Sequence, residues 1–69
     1  MSRDIKAIFG KKVRKVRKLK GLTQEELAHL SSLHSTYIGQ IERGVRNPSL
    51  INIHKLVKAL NVSISEIFP

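Results

Sequence analysis

Apolar residues return along this chain every three to four positions, at helical rather than strand spacing. Over residues 5–20, Ile5, Phe9, Val13 and Val16 share one stripe at about 100° per residue, while Lys11, Arg14, Lys15 and Lys18 cover the other side. Gly21 follows where a helix commonly ends in the left-handed conformation. A second helix opens at Thr23 with T-Q-E-E, a capping box in which Thr23 accepts from the Glu26 amide and Glu26 reaches back; it runs to about Leu30. A third begins near His34 or Ser35 and stops at Gly44. The fourth follows N-P-S, with Ser49 as its cap, Leu50, Ile53, Leu56, Val57 and Leu60 facing inward, and Asn61 able to end it in the left-handed region. The last is a turn or two, S-I-S-E-I-F, with Ser63 and Glu66 placed for another capping box. Five helices with no strand predict a compact all-α bundle around one core, a single domain over residues 1–69.

The second and third helices, joined by the short S-S-L-H turn, have the spacing of a helix-turn-helix over about residues 23–43, with Leu33 packing inward. Ala28, small and in the middle of the second helix, permits a close crossing; alanine is equally a good helix former, and spacing alone does not choose between these explanations. On the third helix Ile38 and Ile41 share one face, and Thr36, Gly39, Gln40 and Arg43 fall on the opposite one. An ordinary exposed face would carry Glu, Lys and Ala. Ser, Thr, Gly and Gln weaken the helix slightly, so something other than propensity selects them. Short hydrogen-bonding side chains near a helix N-terminus suit entry into a DNA major groove, where they meet base edges and the backbone amides approach phosphate.

Charge points the same way. Thirteen Lys and Arg against five Asp and Glu give a formal +8 in 69 residues, which favours a polyanionic partner. Nucleic acid, an anionic membrane surface and an acidic protein are each compatible with charge alone. Without cysteine there is no disulfide or thiolate site, and no apolar run approaches a membrane span or a signal peptide, so a soluble, cytoplasmic protein is expected.

Several spaced blocks then resemble one family. G-L-T-Q-E-E-L-A (Gly21 to Ala28), Y-I-G-Q-I-E-R-G (Tyr37 to Gly44), R-N-P-S-L (Arg46 to Leu50) and A-L-N-V-S-I-S-E-I-F (Ala59 to Phe68) resemble the Cro/C1-type (XRE) helix-turn-helix family, from Phe9 onward. H-S-T-Y-I-G followed by R-N is further similar to the controller proteins of restriction-modification systems. The resemblance implies a lambda-repressor-like fold. It also implies base reading by Ser35, Thr36, Gly39 and Gln40, and phosphate or mixed contacts from Gln24, Tyr37, Arg43, Arg46 and Asn47. It makes Arg17 and Glu42 an interhelical ion pair, which their positions beside the Val13–Val16 and Ile38–Ile41 faces also allow. The chain departs from the family pattern at His34, where Ser or Thr often caps, at Ser32, where Gly often turns, and at Ser35, where Arg or Gln is frequent; the operator sequence therefore does not carry over.

Other chemistry finds no support. His29, His34 and His54 match no metal spacing, Gly10-Lys11-Lys12 lacks the phosphate-loop pattern, and Asp4, Glu25, Glu26, Glu42 and Glu66 are not grouped for acid–base work, so no enzyme, cofactor or metal is expected. The basic run on the first helix reads either as a solvated face or as a phosphate contact or long-range field that speeds association with DNA. Ile51, Ile64, Ile67 and Phe68 are either terminal core packing or a two-fold dimer interface. The expectation is a homodimeric, sequence-specific transcription regulator on a pseudo-palindromic operator, repressing by occupancy or activating where the bound dimer touches RNA polymerase. An antitoxin-like protein-interaction module is the alternative. Membrane binding is disfavoured because the first helix needs its apolar face for the core.

Overall fold

The computed structural model describes residues 4–69. Five helices follow one another: α1 (Ile5–Leu19), α2 (Gln24–Ser31), α3 (Ser35–Glu42), α4 (Leu50–Leu60) and α5 (Ile64–Ile67). No strand occurs among the described residues. The architecture is the expected all-α one.

Local signals set most of the boundaries. Asp4 accepts from the Lys6 and Ala7 amides at the head of α1. Thr23 and Glu26 form the reciprocal capping box of α2, at 3.0 and 2.8 Å. Ser49 accepts from the Asn52 amide at 3.1 Å to start α4, and Asn61, at φ 56°, ends it. At α5 the Ser63 amide donates to Glu66 Oε1 at 3.4 Å. The turn between α2 and α3 pivots on Ser32, which adopts φ 58° without the help of a glycine. Ser31 Oγ, buried beneath this turn, donates to the Leu27 carbonyl at 2.7 Å, so the polar side chain is satisfied within its own helix.

The core draws Phe9 and Val13 from α1, Leu27 and Ala28 from α2, Ile38 and Ile41 from α3, Ile53, Leu56 and Leu60 from α4, and Ile67 from α5. Leu22, Leu33, Tyr37 and Val57 pack around it. α1 packs chiefly on α3, α2 bridges α3 and α4, and α5 closes against α1 and α4.

Two inward assignments are corrected. Ile5 is 60% exposed and Leu50 77% exposed, each the first residue of its helix. Ile67 moves the other way. It is fully buried in the core, which removes it from the dimer-interface candidates. Phe68 stays half exposed, its ring meeting Phe9 edge-on at 6.4 Å between centroids.

One contact decides how α1 lies on α3. Gly10 is buried where the helices cross, and a Cβ there would stand 2.1 Å from the Ile41 carbonyl oxygen and 2.9 Å from that of Glu42. Only a residue with no side chain lets α1 approach the C-terminal turn of α3 so closely. Gly44, at φ 76°, makes a similar approach to Ala7 just after α3 ends.

Candidate nucleic-acid interface

The tight α1–α3 crossing places two charged side chains face to face. Arg17 Nε donates to Glu42 Oε2 at 2.7 Å and Nη2 donates to Oε1 at 3.0 Å, a bidentate pair with both side chains buried. The third guanidinium nitrogen, Nη1, donates to the Leu22 carbonyl at 2.8 Å, tying the pair to the segment before α2. The hydrogen bond to Glu42 holds the Arg17 guanidinium above its ordinary pKa, with burial opposing it. Among the described residues no buried side-chain polar atom is left without a partner.

Glu42 also supports Gln24. The Gln24 Nε2 donates to Glu42 Oε1 at 3.1 Å, so the amide group is anchored at one end and lies across α3. It passes directly over Gly39. The glycine is consequently buried, with Arg43 Nη1 3.2 Å and Gln24 Oε1 3.6 Å from where its Cβ would be. The expected place of Gly39 on the outward reading surface is therefore corrected: it is the floor over which Gln24 and Arg43 lie. At residue 39 the angular count lands between buried Glu42 and exposed Arg43, and it takes no account of a long side chain arriving from α2.

Because the atom that meets a Cβ at residue 39 is the tip of an exposed arginine, Gly39→Ala should be tolerated by the fold. Helix propensity favours alanine by about 1 kcal/mol, so stability should hold or rise by up to that amount in urea unfolding. A loss above about 1 kcal/mol would show that the Gln24–Glu42 contact had been broken as well.

Around this floor the remaining candidates gather. Ser35 and Thr36 are exposed and share an open depression with Thr23, Gln24 and Glu25 between the starts of α2 and α3. Thr36 and Gln40, one turn apart, continue the surface, with Arg43 beyond them. α1, α2 and α4 are capped by side chains, whereas His34 at the head of α3 makes no side-chain cap bond. The first-turn amides of α3 thus remain open to an anion.

Arg46 and Asn47 are placed differently from one another. Arg46 folds back onto α3: its Nε donates to Gln40 Oε1 at 2.9 Å, and its guanidinium lies 5.4 Å from the centre of the Tyr37 ring. Asn47 is exposed in the loop and borders a separate depression with Lys6, Phe9 and Pro48, beside the start of α1. The residue that sequence reasoning missed is Asn52, whose Nδ2 donates to the Tyr37 hydroxyl at 3.0 Å. Its signal was a lone amide within the otherwise apolar L-I-N-I start of α4. On the far side of α4, Leu50, Ile51, His54, Val57 and Ile64 line an apolar depression in which Ile51 is 70% exposed.

Comparison with known proteins agrees with this geometry. A helix-turn-helix family model matches residues 13–67. The control protein C.BamHI of Bacillus amyloliquefaciens is 52% identical over 63 residues, covering 90% of this chain and 78% of that protein. The control protein C.SmaI of Serratia marcescens is 47% identical over 64 residues, covering 93% and 76%. The crystal structure of the restriction-modification controller protein C.AhdI from Aeromonas hydrophila superposes with a TM-score of 0.89 at 49% identity, over 91% of this chain and 96% of that one. With the matched segment holding α2, α3 and the Arg17–Glu42 pair that joins α3 to α1, the chain belongs to the Cro/C1-type helix-turn-helix family of transcription regulators.

Proposed function

We propose that this protein is a controller-type transcription regulator that binds a pseudo-palindromic DNA operator as a homodimer in the cytoplasm, inserting α3 into the major groove. One observation carries the reading: α3 presents Ser35, Thr36 and Gln40 outward above the buried Arg17–Glu42 pair and the Gln24 it anchors, with its first-turn amides uncapped. Rigid polar side chains on a helix N-terminus meet base edges, and open amides meet phosphate. Arg43 and Arg46 lie where they can engage the flanking backbone. A formal charge of +8 adds a long-range attraction to the duplex.

The apolar depression lined by Leu50, Ile51, His54, Val57 and Ile64 is the face assigned to the two-fold contact. It supports dimerisation because a chain this small gains stability from apolar surface it cannot bury alone. Phe68, edge-packed on Phe9, borders α5 and not the centre of that face. Repression follows where the operator overlaps a promoter, and activation where the bound dimer touches RNA polymerase.

Selection from random duplex DNA at physiological salt tests this reading. The expected product is a two-fold symmetric motif with half-sites about one helical turn, roughly 34 Å, apart. If a dimer neutralises about six phosphates, the affinity for that motif should fall with salt at a log–log slope of roughly −5. Retention of DNA with no enriched motif would reduce the protein to an electrostatic binder and end the proposal.

A further inference from the structure

The polarity of one side chain on α3 is set before DNA arrives. A glutamine amide has two unlike ends, an oxygen that only accepts and an NH2 group that only donates. An arginine has no acceptor, so the 2.9 Å contact from Arg46 Nε identifies the end of Gln40 that faces it as Oε1. Arg46 is in turn held over the Tyr37 ring, and the Tyr37 hydroxyl is held by Asn52 from α4. The Gln40 carbonyl is thereby tied back toward the loop, which leaves Nε2 and its two hydrogens as the end offered to the groove. The Nη groups of Arg46 make no hydrogen bond to any described residue, so they can hold a phosphate while Nε holds Gln40.

We infer that Gln40 reads guanine in each half-site, and that Arg46 is the positioning residue that fixes this choice by holding the amide oxygen. The inference rests on α3 lying in the major groove, as proposed above. Guanine presents two acceptors there, O6 and N7, to the two Nε2 hydrogens. The alternative pairing of a glutamine with adenine needs the amide to accept from N6 and donate to N7 at once. With Oε1 tied to Arg46, only its second lone pair is left for that contact. The N6 amino group would then sit beside a guanidinium whose field favours acceptors. Cytosine offers only a donor, and thymine a single acceptor beside its methyl group.

The test uses the full chain and the operator recovered by selection. Gln40→Ala identifies the read position as the one whose base preference it abolishes. At that position the parent protein should select guanine, and in competition should prefer it over adenine by about tenfold. Arg46→Met removes the donor and keeps the bulk of the side chain. It should cut the preference at that position to about twofold or less, or turn it toward adenine, beyond any uniform loss of affinity from a missing phosphate contact. Arg46 is exposed, so matching thermal melts should show an intact fold. Three results overturn the inference while leaving groove binding intact: a base other than guanine at the read position, no position that responds to Gln40→Ala, or an unchanged preference in Arg46→Met. Failure of the parent protein to enrich any motif would instead overturn the groove reading itself, and the inference with it.

Discussion

Gly10→Ala is expected to destabilise the protein by about 3 kcal/mol and to weaken DNA binding in proportion to the unfolded fraction. The added methyl would stand 2.1 Å from the Ile41 carbonyl oxygen and 2.9 Å from that of Glu42. Both obstacles are backbone, so neither can rotate aside; α1 and α3 must move apart. Such a movement opens the contacts of Phe9 and Val13 with Ile38 and Ile41 and lengthens the bond between Arg17 and Glu42. A domain of this size holds roughly 3–10 kcal/mol of stability, so the loss takes away a large part of it. Urea unfolding of the parent and the variant measures the difference, and the parallel Gly39→Ala variant supplies a control with the opposite expectation. A cost for Gly10→Ala under about 1 kcal/mol would mean that α1 can slide along α3 without loss.

What the sequence revealed and what it hid divide along a physical line. Features fixed by neighbours in the chain were legible: the Thr23 box, the Ser49 cap, the left-handed Asn61 and the short turn from α2 to α3 all depend on residues within a few positions of one another. The exposed Thr36 followed from the helical period, and the exposed Ser35 from the family resemblance. Features fixed by distance across the fold were not, apart from the Arg17–Glu42 pair, which the family resemblance implied and the helix faces allowed. Nothing around Gly10 in the chain states that a carbonyl from α3 will arrive there, and nothing near Gly39 announces Gln24. Ile5 and Leu50 satisfy the apolar period yet lie exposed at the first residue of their helices, while Ile67, in a helix of four residues, has too short a period to read and proves to be core. The line of contacts from Asn52 through Tyr37 and Arg46 to Gln40 spans α4, α3 and the loop, and its Arg46 contacts need the loop after Gly44 to fold back on α3. The site was thus legible as a surface but not as a mechanism that orients its own side chains.

Glu42→Ala is the second large effect, expected to cost about 3–5 kcal/mol, because the damage lies in what it leaves behind. Two guanidinium nitrogens of Arg17 and the amide of Gln24 all lose their acceptor, and the arginine remains buried with an uncompensated charge. If the penalty comes from that orphaned charge, removing it should undo the penalty. The double variant Arg17→Met with Glu42→Met is therefore expected to lie within about 1 kcal/mol of the parent in urea unfolding, or above it. DNA binding should not recover with it. Gln24 would still lack the carboxylate that holds its Nε2, and would have to be ordered at the moment of binding, an entropic cost the parent does not meet. A folded double variant that binds the operator more weakly than the parent would separate the two roles of Glu42, as partner to a buried charge and as anchor of the reading surface. Equal operator affinity would show that Gln24 needs no anchor, and that the ion pair serves the fold alone.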